Sequence, residues 1–489
     1  MDSRLHWILP FLAVVEFLAF SHGGGVGGGG VGVIEVTYKF PGSDRSLSAL
    51  RAHDVVRHLA ILAGVDVPLG GTGRPDSIGL YYAKIGIGTP AKDYYVQVDT
   101  GSDITWVNCI QCHECPQRGY HGIELTRYNK NDSLTGKLVS CENDFCKGIG
   151  GGSFSGCTAN TSCFYTEVYG DGTYSMGYFV EDIVIYDRVS GDLQTTSANG
   201  SVIFGCGAGQ SGDLGSSDDA LDGILGFGKS NSSMISQLAA SRRVKKMFAH
   251  CLDGVNGGGI FAIGHVVQPQ VNTTPLVPDQ SHYSVNMTAV QVGLDFLNLT
   301  TDVYMINDNK GAIIDSGTTL AYLPQEIYVP LVKQILSWQP DLTLQTLHDQ
   351  YTCFDHSGNS LDDDFPPVVF HFENSLLLKV YPHEYLFSFE DLTCIGWQNS
   401  RIQSQEKSNI TLFGDLVLSN KLVLYDLENQ AIGWTEYNCS STIKLKDELT
   451  GSVHLVGAHS ISHCGSLNVR VLFFLLMALL HSLLFPPIL

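Results

Sequence analysis

The chain is poor in charge, and poorest in positive charge. Asp, Glu, Lys and Arg make up only 16% of its 489 residues, and 28 Lys and Arg stand against 49 Asp and Glu, a net charge of −21. Gripping phosphates needs a basic face, so this balance excludes a nucleic-acid partner and electrostatic docking on anionic lipid. Disorder is excluded as well, because 44% hydrophobic and 10% aromatic residues suffice to bury a core. Low charge, 53 glycines and Thr/Ser-rich alternating runs favour an all-β protein over a helical bundle. The length suits two domains or one bilobal unit.

Long apolar runs lie at the two ends. Residues 1–22 carry Arg4, an apolar stretch from Trp7 to Phe20 and then small residues, the layout of a secretory signal peptide. Val469 to Phe485 is almost wholly apolar, and no basic tail follows it before Leu489. Ahead of it lies a polar spacer with Ser452, Gly457, Ala458, Ser460 and Ser462. Small residues, spacer and apolar tail over 441–489 read as a glycolipid (GPI) attachment signal, with Ala458 or Ser460 as the attachment residue. The expected location is the secretory pathway and then the extracellular face of the plasma membrane, with the anchor as the sole membrane contact.

Secretion implies disulfides and glycans. Of 13 cysteines, Cys464 falls in the segment that anchor processing removes, and the other 12 can pair fully. Nine Asn-x-Ser/Thr sequons occur, at Asn131, Asn160, Asn199, Asn231, Asn272, Asn286, Asn298, Asn409 and Asn438. Residues 23–78 have no net charge, with five basic and five acidic residues, and contain a helical pattern from Ser46 to Leu62. Pro68, Gly70, Gly71, Gly73 and Pro75 then form a breaker-rich linker. This segment reads as a removable prosegment.

From Tyr81 the pattern turns to β, with alternating runs on either side of a Gly-Thr-Pro turn. Further strands are expected over 284–292, 379–386 and 421–434, and helices over 232–240 and 324–338. One unit occurs twice. Val96-Gln-Val-Asp99-Thr-Gly-Ser opens one half, and Ala312-Ile-Ile-Asp315-Ser-Gly-Thr opens the other. Each is followed downstream by an apolar-apolar-Gly turn, Ile224-Leu225-Gly226 and Leu412-Phe413-Gly414. A repeat of roughly two hundred residues means two similar lobes rather than a solenoid.

Each unit places a carboxylate on a tight loop where Gly admits another backbone. Two lobes meeting there bring two carboxylates together, and one of the pair must keep a proton. The ionised one can take a proton from water while the neutral one donates to a carbonyl oxygen. That is acid–base attack of water on a peptide, without a metal or other cofactor.

These motifs resemble the pepsin-like aspartic proteases over residues 79–440. Asp99-Thr-Gly-Ser and Asp315-Ser-Gly-Thr match that family's catalytic motifs, and Tyr169-Gly170-Asp-Gly-Thr matches its flap. Trp106 matches the tryptophan that bonds the flap tyrosine. The resemblance implies a bilobal all-β fold with a cleft between an N-terminal lobe (79–275) and a C-terminal lobe (276–440). It makes Asp99 and Asp315 the catalytic pair. Tyr169, Trp106 and Gly170 fall in the substrate-binding flap, and Thr100, Ser102, Ser316 and Thr318 around the two carboxylates. The cysteine-rich insert from Cys109 to Cys163 resembles that of plant nepenthesin-type enzymes. By that resemblance the pairs are Cys109–Cys112, Cys115–Cys206, Cys141–Cys163, Cys146–Cys157, Cys251–Cys439 and Cys353–Cys394. The implied protein is a monomeric, cell-surface endopeptidase acting on proteins or peptides.

Other readings compete. Cys109, Cys112 and Cys115 around His113 have the makings of a zinc site, though a secreted chain favours disulfides. His250, His282, His356 and His383 share no motif. Asp218, Asp219, Asp222 and Asp362–Asp364 read as solvated loops. The alternative function is a non-catalytic pepsin-like binding or inhibitor protein, but such proteins lose a catalytic Asp, a motif glycine or the flap tyrosine, all of which are retained here.

Overall fold

Alternation decides the first elements of the body. β1 (Val65–Val67) and β2 (Leu69–Thr72) precede β3 (Leu80–Ile87) and β4 (Lys92–Asp99). β3 and β4 pair antiparallel with Ile85 opposite Tyr94. Val96 and Val98 are wholly buried on β4, so the strand is anchored by its inward face right up to Asp99. Gly88, at φ +96°, makes the turn between β3 and β4. The computed structural model describes residues 64–72, 80–149, 157–216, 220–299, 311–347, 351–358, 360–389, 391–402, 409–448, 450–459 and 461. The expected signal peptide (1–22), residues 23–63, Ser460, Cys464 and the apolar tail lie outside these.

The two halves repeat one arrangement. In the first, Gly223–Gly226 runs parallel to β4, with Gly226 opposite Asp99, and antiparallel to β5 (Trp106–His113). In the second, Thr411–Phe413 runs parallel to Ala312–Ile314 and antiparallel to Ala321–Leu323. In both, the strand that ends in Asp lies beside an apolar-Gly strand from far downstream. The glycines are there for proximity: a Cβ on Gly226 would lie 2.5 Å from the Asp103 backbone, and one on Gly414 2.2 Å from Thr318 O.

A central set of strands joins the halves. β1, Gly259–Ile263, Met247–Leu252, Lys421–Asp426 and Ala431–Glu436 follow one another in hydrogen-bonded order. Met247–Leu252 is buried at every residue, as a strand covered on both faces must be. Phe248 stacks on Tyr425 at 4.4 Å between ring centroids, and Phe227 meets Phe261 edge-on at 4.8 Å. Helices are few. Gln325–Leu336 buries Ile327, Leu331, Val332 and Ile335, and Met234–Ala240 is capped by Ser233.

Several sequence expectations shift. The breaker-rich stretch is in part strand: β1 pairs with Gly259–Ile263, and β2 with β3. The expected strand over 379–386 is interrupted by the helix Pro382–Tyr385, and Lys421–Trp434 splits into two strands around a turn. The spacer beyond residue 440 is folded as far as Ile461. Thr442–Lys446 and Val453–Gly457 form a hairpin that pairs with His265–Gln268 and buries Ile443, Leu445 and Val456. Beyond it, His459 exchanges backbone bonds with Gly259, and its Nε2 lies 2.9 Å from Asp66 on β1. Ile461 N donates to Leu69 O, and Tyr82 Oη donates to Ile461 O. Ala458, one candidate attachment residue, donates its amide to Ser441 O and packs against this buried layer.

Candidate functional site

The two motif loops meet face to face. Asp99 accepts from Gly101 N (2.8 Å) and Ser102 N (3.2 Å) at Oδ1, and from Ser102 Oγ (2.5 Å) at Oδ2. Asp315 mirrors it, accepting from Gly317 N at Oδ1 and Thr318 Oγ1 at Oδ2, both at 2.8 Å. The closeness of the carboxyls shows in what the glycines make room for. A Cβ on Gly317 would sit 2.1 Å from Asp99 Oδ1, and one on Gly101 2.5 Å from the Asp315 carboxyl. Beneath them the loops are tied together. Ser316 N donates to Thr100 Oγ1 (2.9 Å), Thr100 Oγ1 donates to Ile314 O (3.4 Å), and Ser316 Oγ donates to Val98 O (3.1 Å).

Both carboxyls are buried, and burial, joined at Asp99 by the Asp315 charge, raises their pKa values above the usual carboxylate range. Hydrogen bonds from Ser102 and Gly101, and from Thr318 and Gly317, pull the other way. Desolvation outweighs them, so the pair holds a proton into the acidic range where isolated carboxyls are ionised.

Above this floor lies the flap. Phe164–Val168 pairs with the strand Tyr174–Gly191, and the turn between them closes with Gly172 at φ +87°. Tyr169 Oη accepts from Trp106 Nε1 at 2.6 Å, and Asp171 Oδ1 accepts from Thr173 N and Oγ1. Floor and flap enclose a cleft of about 390 Å³, lined from one half by Gln97, Asp99 and Tyr169 and from the other by Ile313, Asp315 and Tyr322. Gly170 lines it too.

Four of the six cysteine pairs differ from those the resemblance implied. Cys109 bonds Cys206, Cys112 bonds Cys115, Cys141 bonds Cys157 and Cys146 bonds Cys163. Cys251–Cys439 and Cys353–Cys394 are bonded as implied. Cys109 and Cys112 both lie on β5, and three residues of extended chain span about 10 Å, beyond disulfide reach. Cys206 instead lies on the strand beside β5, with its Cα 5.4 Å from that of Cys109. The chain reverses at Glu114 (φ +55°), which brings Cys115 back to Cys112. Cys141 donates its amide to Thr161 O and Cys163 to Val139 O, so these two are offset along their bridge rather than opposite. With every thiol of the Cys109–Cys115 cluster bonded, His113 has none to join in holding a metal. No cluster of three or more metal-ligating side chains occurs among the described residues.

Some site residues carry no motif. Asp415 is fully buried directly after Gly414, and neither carboxyl oxygen has a hydrogen-bond partner among the described residues. Burial, aided by the charges of Asp315 and Asp99, holds its pKa well above the carboxylate range. Glu167, on the flap strand, lines the cleft, as does His282, whose Nδ1 lies 3.0 Å from Gly101 O. Asp222 is not the solvated loop residue its cluster suggested. It is buried, accepts from Tyr95 N and Thr126 N, and is pushed up to about 7 by burial. His250 is buried against Tyr425 Oη, while Asp362 pairs with His383 and Asp364 with His356.

Two family models match the chain, one described as xylanase inhibitor N-terminal over residues 81–265 and one as xylanase inhibitor C-terminal over 282–436. The chain is 50% identical over 435 residues to aspartic proteinase 36 of Arabidopsis thaliana, covering 89% of each. It is 45% identical over 456 residues to aspartic proteinase 39 of the same plant, covering 93% of this chain and 92% of that one. Against aspartic proteinase nepenthesin-2 of Nepenthes gracilis it is 25% identical, covering 74% of this chain and 79% of the relative. Among solved structures it is similar to edgp (TM-score 0.61, 18% identity, 77% of this chain and 95% of that one). It is likewise similar to basic 7S globulin from soybean (TM-score 0.59, 18% identity, 76% and 96%). Likeness at that level of identity speaks for the fold alone.

Proposed function

The chain belongs to the pepsin-like aspartic proteases of plants and is an aspartic-type endopeptidase, and we propose that Asp99 and Asp315 carry its reaction. The observation behind this is the matched pair of buried carboxyls, each held by the hydroxyl and glycine amide of its own loop. One proton is shared between them. The ionised carboxyl takes a proton from a water held between the two, and the water oxygen bonds to the scissile carbonyl carbon. The neutral carboxyl gives its proton to the carbonyl oxygen. The resulting diol collapses as the C–N bond breaks, with the leaving nitrogen protonated by the dyad. Trp106 fixes Tyr169, and with it the flap that shuts the peptide into the cleft. Hydrolysis of denatured haemoglobin at acidic pH, blocked by pepstatin and lost in Asp99→Asn, tests the assignment. A folded, inert wild-type protein would favour the binding-protein alternative.

The mature protein is further proposed to be a monomer at the outer face of the plasma membrane, delivered by the signal peptide and held by a glycolipid. Six disulfides suit an oxidising compartment. Asn131, Asn160, Asn199, Asn231, Asn272, Asn298, Asn409 and Asn438 are exposed and open to glycans. Asn286 is half-buried, with its Nδ2 donating to Glu373 Oε1 at 2.8 Å, and is the least open of the nine. Attachment at Ala458 would discard His459 with its bonds to Gly259 and to Asp66 on β1, which attachment at Ser460 keeps, so of the two candidates Ser460 is the proposed anchor residue. Release of activity from membranes by phosphatidylinositol-specific phospholipase C tests the anchor.

A further inference from the structure

Four carboxyl groups line the cleft, and three have their hydrogen bonds supplied from within the protein. Asp99 and Asp315 are held by their own loops, and Asp171 by Thr173. The fourth, Glu167, has no hydrogen-bond or ion-pair partner among the described residues. It stands opposite Ser175 on the flap strand. By the alternation of a strand it shares a face with Tyr165 and Tyr169, the residues turned towards Trp106 and the core, while Phe164, Thr166 and Val168 are exposed on the other. Among the described residues no Lys or Arg lines the cleft, whose other ionisable side chains are His282, Tyr169 and Tyr322. The groups facing Glu167 are Asp99 at the end of β4 and Asp103 from the loop after it, with Tyr165 on its own strand and Tyr169 just beyond that strand. Burial and the two aspartate charges push it up to about 7.

A half-buried carboxyl without a donor, in a cleft of like charge, is costly unless something fills the gap. The substrate is the one component that enters this space. We propose that Glu167 is a specificity-determining residue that receives a Lys or Arg side chain of the peptide. This rests on the proteolytic reading of the cleft. Against the ionised form of Glu167 a neutral donor would supply a hydrogen bond but leave the repulsion from Asp99 and Asp103, whereas a cation supplies the bond and offsets the repulsion. In the free enzyme at acidic pH, Glu167 carries a proton. Seating the ammonium or guanidinium releases that proton to solvent and leaves a carboxylate–cation pair.

The test uses the mature enzyme and internally quenched peptides that differ at one position at a time, three positions on either side of the scissile bond. Each position carries Lys, norleucine or Glu in turn. The expected result is one position where Lys exceeds norleucine roughly tenfold in kcat/KM, mostly through KM. In Glu167→Gln that ratio falls to about one, Glu167→Asp keeps part of it, and Glu167→Lys turns the preference towards the Glu peptide. A wild-type enzyme without basic preference at any position, or a preference untouched by Glu167→Gln, overturns the proposal while leaving proteolysis standing. If the wild type cleaves none of the peptides, proteolysis and this inference fall together.

Discussion

A chain ended after Asn438 keeps both catalytic loops, yet it should not fold, whereas one ended after Ile461 should. Three losses separate them. The shorter chain lacks Cys439, whose bond to Cys251 spans 188 residues. Chain-entropy reasoning puts the stabilisation from closing so long a loop at about 5 kcal/mol, near the top of what disulfides contribute. It also lacks Ile443, Leu445 and Val456, each at most 2% exposed, and burial of such side chains contributes about 1.5–3 kcal/mol apiece. Finally, it uncovers their partners Ile260, Val266 and Leu422. The sum is about 10 kcal/mol, comparable to the whole stability of a typical protein. The assay is secretion of the two truncated chains, followed by thermal melting of whatever is recovered. A chain ended at Asn438 that is secreted normally and melts within a few degrees of the longer one would refute the reasoning.

Asp99→Asn and Asp315→Asn should each lower kcat at least ~100-fold in a folded protein, with the wild-type optimum on the acid side; near wild-type turnover in either would end the two-carboxyl mechanism. Gly317→Ala, whose Cβ would press on Asp99 Oδ1 at 2.1 Å, should abolish activity more completely than it lowers the melting temperature, and peptide hydrolysis beside calorimetry separates the two. Tyr169→Ala should slow turnover through the flap with little loss of stability, read from kcat and the melting curve together. Stability should fall as pH rises from about 4 to about 7. Asp222, pushed up to about 7, and the raised Asp415 bind protons in the folded state that the unfolded chain, near 3.8, releases; the native form is therefore favoured below that window and loses the advantage across it. A melting temperature that climbs over the same range would contradict this, and Asp222→Asn should flatten the slope.

How much was legible in the sequence depended on how local the signal was. The dyad was readable because each motif is complete within a few residues, and its doubling tied Asp99 to Asp315. Cysteine partners were not, since the spacing of Cys109, Cys112 and Cys115 says nothing of where β5 ends and the chain reverses. The hairpin beyond residue 440 carried an alternation in Ile443 and Leu445, but Ser452, Gly457 and Ala458 around it matched a spacer better. Asp415 follows the apolar-Gly turn directly and went unread, because a lone carboxyl shows its role only through what surrounds it. The same holds for Glu167 and for Asp222, whose donors come from Tyr95 and Thr126, far away in the chain.

The bonds joining Thr100 and Ser316 beneath the dyad have a mechanical consequence. They link the lobes at the point where the two carboxyls meet, so any shift of one lobe against the other is smallest there. Displacement grows with distance from such a tie. The outer walls of the cleft can therefore shift to seat peptides of different bulk while the spacing of Asp99 and Asp315 stays fixed. Any adaptation to the bulk of a peptide thus falls to the rim, while the reacting pair is held at the tied floor.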